Sequence, residues 1–97
     1  MRFEWDENKE AINIRKHGID FRTAALVFGD NNRIEYYDES HSIFGEDRYI
    51  TIGISVNTTL IMVVYTERNE NVIRIISARL ANKQEEVMYY DNSWYWC

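Results

Sequence analysis

Arginine is the residue type best placed to do chemistry in this chain. Arg74-Ile-Ile-Ser-Ala-Arg79 puts a guanidinium at each end of a short apolar stretch, and Arg68 closes the stretch before it, Val64-Tyr65-Thr66-Glu67-Arg68. A guanidinium in an apolar strand must snorkel, pair with a carboxylate or hold an anion. Its planar fork suits phosphate, and it stays charged at any physiological pH. RNA phosphate is the anion this reading favours. RNA can be cut without a metal because its own 2′-OH can attack the adjacent phosphate. That reaction needs a base near the hydroxyl, an acid near the leaving 5′ oxygen, and positive charge around the phosphorane-like transition state.

Arg48, Arg74 and Arg79 are the candidates for the positive charge. Each also has a plainer use, as partner to a carboxylate such as Glu46, Asp47, Glu67 or Glu70. Arg74 and Arg79 are an odd number of residues apart, so on a regular strand they would face opposite sides. For both to line one site, the strand must end or bulge near Ser77 or Ala78. His17 is the residue type suited to proton transfer near neutral pH, and Lys16 could hold phosphate. The same Lys16-His17-Gly18 run is also ordinary chemistry for the end of a helix. Tyr65 and Arg68 are candidates for RNA binding, by stacking or phosphate contact; the alternatives are a tyrosine packed in the core and an arginine solvated at a turn. Glu46 could serve as a base, but an ion pair with Arg48 is simpler. His41, beside Asp38 and Glu39, reads as a solvated loop histidine. The two histidines are far apart and Cys97 is the only cysteine, so no metal-ligand spacing is present.

The elements that must position these residues can be read from period and punctuation. Arg2 to Trp5 can open as a strand. Asp6 can cap a helix running to about Lys16, with Gly18 as its left-handed terminator. Asp20 can cap a second helix, whose Phe21, Ala24, Ala25 and Phe28 share a face, and Gly29 ends it. Alternation then predicts strands over Arg33–Asp38, Arg48–Ile54, Thr59–Thr66 and Val72–Ser77, with a polar loop over Glu39–Asp47. The short connections make these an antiparallel meander. Asn82-Lys-Gln-Glu85 has capping-box spacing and would start a last helix reaching about Asp91. The expectation is an α+β fold: a mostly antiparallel sheet of four to five strands, two N-terminal helices and one C-terminal helix.

Ninety-seven residues make one domain, taken as 1–91, followed by an aromatic tail over 92–97. Apolar content of 45% and aromatic content of 14% place it among globular chains. No run resembles a signal peptide or a membrane span, and the lone cysteine excludes an internal disulfide; both suit a reducing cytoplasm. The net charge of −5 argues against a general nucleic-acid binder. The acidity is concentrated in residues 31–67, so a local basic pocket built from the two ends remains open.

Several pieces together resemble a known family. They are Phe3-Glu-Trp5-Asp6-x-x-Lys9, Asn13-x-x-Lys16-His17-Gly18, Phe21-x-x-Ala24-x-x-x-Phe28-x-Asp30, Gly45-Glu46-x-Arg48, Gly53, Val64 to Arg68 and Ile73 to Arg79. In this order, over about residues 3–90, they look like the BrnT family of type II toxin–antitoxin ribonucleases. The resemblance implies a RelE-like fold, RNA cleavage without metal or other cofactor, and neutralisation by a BrnA-like antitoxin, through which alone the toxin meets operator DNA. Two features depart from the family. The last helix in the family is often rich in arginine, whereas Asn82 to Asp91 holds one lysine against Glu85, Glu86 and Asp91; the aromatic tail is also unfamiliar. A non-catalytic module that docks an antitoxin is the rival reading, and self-association through the tail is a third.

Overall fold

Asp6 caps as its position predicts. In the computed structural model, which describes residues 1–95 and side chains as far as Asp91, its carboxylate accepts from the backbone N–H groups of Asn8 (2.8 Å) and Lys9 (3.2 Å). Helix α1, Glu7–His17, follows, with acidic side chains in its first turn and Arg15, Lys16 and His17 in its last. Gly18 ends it at φ 72°, its N–H donating to the Ile14 carbonyl. Helix α2, Phe21–Ala25, is capped from elsewhere than expected. Asp20 makes no side-chain cap; the Glu10 carboxylate of α1 accepts from Phe21 N at 2.9 Å and so ties the two helices together. The chain then tightens into a 3-10 turn over Leu26–Gly29, burying Val27 and Phe28.

The strands are β1 Arg2–Trp5, β2 Ile34–Tyr37, β3 Tyr49–Ile54, β4 Leu60–Asn69 and β5 Val72–Leu80, before helix α3, Lys83–Tyr95. They form one sheet in the order β1-β5-β4-β3-β2, antiparallel except for the β1–β5 pair. The expected α+β architecture is therefore present, with β4 and β5 each three residues longer at their C-terminal ends than their patterns indicated. No helix among the described residues is long and apolar enough to cross a membrane. The reading of residues 92–97 as an aromatic tail lies outside the described side chains.

Alternation sorts the side chains onto two faces. On one, Ile61, Val63, Tyr65, Ile73 and Ile75 pack against Phe21, Ala24, Val27 and Phe28, with Phe3 and Trp5 at the margin. On the other, Ile52, Leu60, Met62 and Val64 pack with Ile50, Ile54, Ile76 and Tyr89 of α3. Gly53 lies where the 3-10 turn presses on β3. A Cβ there would lie 2.8 Å from Val27 Cγ1 and 3.0 Å from Arg33 Cβ. Gly53→Ala should accordingly lower stability by about 1–3 kcal/mol, measured by urea denaturation, because backbone and core would both have to shift.

The register of β5 on β4 settles the odd-spacing problem. Val64 faces Ser77 but Tyr65 faces Ile75, so Ile76 is the extra residue of a β-bulge. Arg74 consequently pairs with Thr66 and Arg79 with Met62. Both arginines therefore share the face of Val64, the condition set by their spacing.

Candidate active site

Beyond the area that α3 covers, this second face opens into a cleft of about 240 Å³ lined by His17, His41, Arg48, Ser77 and Arg79 over a floor of Met62, Val64 and Ile76. A neighbouring hollow of about 250 Å³ shares His17, Ile76 and Ser77 and adds Lys9, Ile12, Asn13 and Lys16. The two together collect Lys9, Lys16, Arg48, Arg79 and both histidines on an otherwise acidic molecule.

His17, Arg48 and Arg79 are each held by a separate device. His17 is placed by Asn13, one turn earlier in α1. Asn13 is buried, and its amide donates to the carbonyls of Ile19 and Ala78 (2.9 Å each) and accepts from Ala78 N at 3.0 Å. It thereby supplies the strand-like bonds that β5 lacks where β1 has ended, and clamps the end of α1 beside the bulge. Arg48 is placed by its backbone, whose N–H donates to Ser42 Oγ (2.9 Å) and whose carbonyl accepts from Asp38 N (2.8 Å). Its Nε donates to Glu46 at 3.1 Å. Its terminal nitrogens make no hydrogen bond among the described residues.

Arg79 is engaged more fully. Its two terminal nitrogens reach both oxygens of Glu85, at 2.8 and 2.9 Å. Glu85 also accepts from Asn82 N (2.9 Å), while Asn82 Oδ1 accepts from Glu85 N (2.8 Å), which completes the capping box of α3. Burial alone would raise the Glu85 carboxyl, but Arg79 and the Asn82 N–H outweigh it and hold its pKa below the ordinary 4.5. The Glu85 hydrogen bond raises Arg79 in turn. Tyr36, on β2, stands near this pair; burial, then the charges of Glu85 and Asp38, push its phenol up.

Three sequence candidates lie elsewhere. Arg74 is on the expected face but donates to Glu4 at 2.8 Å, and Arg68 approaches the same carboxylate at 3.8 Å. Arg68 opens onto a different hollow, with Glu4, Glu46, Asp47 and Glu67 around it, a poor setting for phosphate. Tyr65 is on the opposite face, 3% exposed, with its ring against Phe28 and Tyr49 and its hydroxyl donating to Glu35. Burial, then the Glu35 charge, drive its phenol far above the usual range. It is a core residue and cannot stack a base. The plainer use left open for the arginines is present: Arg48, Arg68, Arg74 and Arg79 each have a carboxylate partner. Only Glu46 was among the partners weighed from sequence. Glu4 and Glu85 come from the first strand and the last helix. His41, read from sequence as a solvated loop residue, in fact lines the cleft.

Asp30 ties the two faces together at the other end. It accepts from Tyr89 Oη (2.6 Å), Ile54 N (2.8 Å) and Asn32 N (2.9 Å). Burial would raise it, but these bonds, led by that of Tyr89, leave it lowered from 3.8. Asp30 and Glu85 are therefore both more acidic folded than unfolded. Their stabilisation is fully present above the unfolded values and is lost as pH falls through the folded ones. Chemical denaturation from pH 7 to 2.5 should show stability falling below about pH 4.5, and Tyr89→Phe should flatten that fall and remove about 1–2 kcal/mol at pH 7.

The family model described as ribonuclease toxin, BrnT, of type II toxin–antitoxin system matches residues 5–85. The chain belongs to the BrnT family. Among solved structures, the crystal structure of the Brucella abortus ribonuclease toxin BrnT is similar, at 26% identity and a TM-score of 0.67, covering 86% of this chain and 99% of that one. No curated protein matches. As a BrnT toxin of a type II system, the chain has an RNA target and an antitoxin protein as its implied counterparts.

Proposed function

We propose that this BrnT-family chain is an endoribonuclease that cleaves RNA by 2′-OH attack without a metal, neutralised by a BrnA-like antitoxin that alone connects it to operator DNA. The observation that carries this reading is the convergence of His17, Arg48 and Arg79 on one cleft, with Lys16 in the hollow beside it. Phosphate enters against the terminal nitrogens of Arg48. It then displaces Glu85 from Arg79, exchanging one charge-assisted fork for another. Lys16 steers the neighbouring phosphate. His17 supplies one of the two proton transfers.

Purified protein should cut RNA in EDTA and leave 2′,3′-cyclic phosphate and 5′-OH ends. Cleavage that stops when EDTA is added would overturn the metal-independent route. A second reading has its own support, since Glu46 and Glu85 already neutralise the two cleft arginines. On that reading the chain is a non-catalytic module that docks an antitoxin and tunes operon repression. Tight partner binding with no RNA cleavage, with or without metal, selects it.

A further inference from the structure

His41 is the group in the cleft to which the reaction as outlined gives no task. Its ring is 64% exposed, yet it stands on a carboxylate, Asp38, that is 5% exposed. Nδ1 lies 2.7 Å from Asp38 Oδ2. A carboxylate only accepts, so Nδ1 carries the hydrogen, which in the neutral ring leaves the lone pair on Nε2. The other Asp38 oxygen accepts from Ser40 Oγ at 2.9 Å.

The backbone around this dyad is equally fixed. Asp38 N donates to the Arg48 carbonyl, and the Ser42 N–H and hydroxyl both donate to the Asp38 carbonyl (3.1 and 2.8 Å). Arg48 N donates to Ser42 Oγ. These bonds close the loop base on itself and put His41 and Arg48 on one wall, with His17 and Arg79 lining the same cleft. Ser40 and the backbone hold one carboxylate oxygen and the main chain of Asp38; the other oxygen, Oδ2, meets His41 alone among the described residues.

We infer that His41 is a catalytic residue of this cleft: oriented by Asp38, its Nε2 takes the proton of the RNA 2′-OH. This rests on the ribonuclease reading above. The proton passes from O2′ to Nε2 as the O2′–P bond forms. The P–O5′ bond breaks, and His17 delivers a proton to O5′. The products are a 2′,3′-cyclic phosphate and a 5′-hydroxyl, with protons and electron pairs balanced. Asp38 is a positioning residue that stabilises the imidazolium as it forms.

The test compares the full-length parent, His41→Ala and His17→Ala on two oligoribonucleotides in EDTA, one ordinary and one with sulfur in place of the bridging O5′. A thiolate leaves without acid assistance, so the second substrate silences the proton donor but not the base. His41→Ala should lose roughly 100-fold or more in kcat with KM nearly unchanged, and the loss should persist on the sulfur substrate. The His17→Ala loss should shrink there. His41→Ala also strips buried Asp38 Oδ2 of its partner and should lower the melting temperature modestly, so all variants are assayed well below their transitions. Asp38→Asn should lower kcat in the same direction with KM unchanged. An active His41→Ala, or a defect that disappears on the sulfur substrate, overturns the assignment of His41 alone. A parent that cleaves neither substrate overturns the ribonuclease reading and this inference with it.

Discussion

Arg79→Ala is expected to slow RNA cleavage by roughly 100- to 1000-fold, the loss typical of removing one preorganised donor from a developing oxyanion. It should also lower stability, by about 1–3 kcal/mol, because Glu85 is left 8% exposed without its bidentate partner. The two effects can be separated. Arg79→Met combined with Glu85→Gln removes both charges, so most of the stability should return while cleavage stays low. Initial rates on a labelled RNA and urea denaturation of the same samples read both quantities. Cleavage at parental rates in the double variant would show that Arg79 supports α3 and nothing else.

Asn13→Leu should have the largest effect on folding. The substitution strips a buried site of three hydrogen bonds and leaves Ala78 N, Ala78 O and Ile19 O facing an alkyl group. The expected loss is about 3–5 kcal/mol. That is a large share of the roughly 5–15 kcal/mol that holds a domain of this kind together. Calorimetry should show the melting temperature falling by on the order of 15–30 °C. Below that transition the protein should still cleave poorly, because α1 is no longer fastened to β5 beside the bulge and His17 drifts from Ser77 and Arg79. Misplacement of a reacting group by about 1 Å suffices for a hundredfold loss. A fully active, stable Asn13→Leu would detach helix α1 from the site.

Much of the scaffold was legible because its signals are local. Asp6, Gly18 and the Asn82–Glu85 box act within one helical turn, and Ile50, Ile52 and Ile54 alternate onto one face as their spacing requires. The need for an irregularity was legible in a different way: odd spacing between Arg74 and Arg79 demands an end or bulge near Ser77 or Ala78 if both are to share a face, and the bulge falls at Ile76. What sequence left hidden depends on contacts between distant segments. Glu4 meets Arg74 only because β1 lies parallel to β5, with those two residues in register. Glu10 rather than Asp20 caps α2, and Tyr89 reaches Asp30 across 59 positions. Tyr65 was ambiguous for a further reason. An aromatic at the end of an apolar strand suits core and binding surface equally, and the register decides which. The loop carrying His41 shows no period at all; only its bonds to Arg48 bring it to the cleft.

On the proposed reading, RNA lies across the face of Met62, Val64 and Ile76, between His17 and Arg48. Titration of isotope-labelled protein with a 2′-O-methyl oligonucleotide, which binds but offers no attacking hydroxyl, tests where it lies. Resonances of His17, Arg48, Ser77 and Arg79 should shift together and saturate at one concentration. Shifts confined to Glu67, Arg68 and Asn69 at the far end of β4, or to the α2 face, would contradict it.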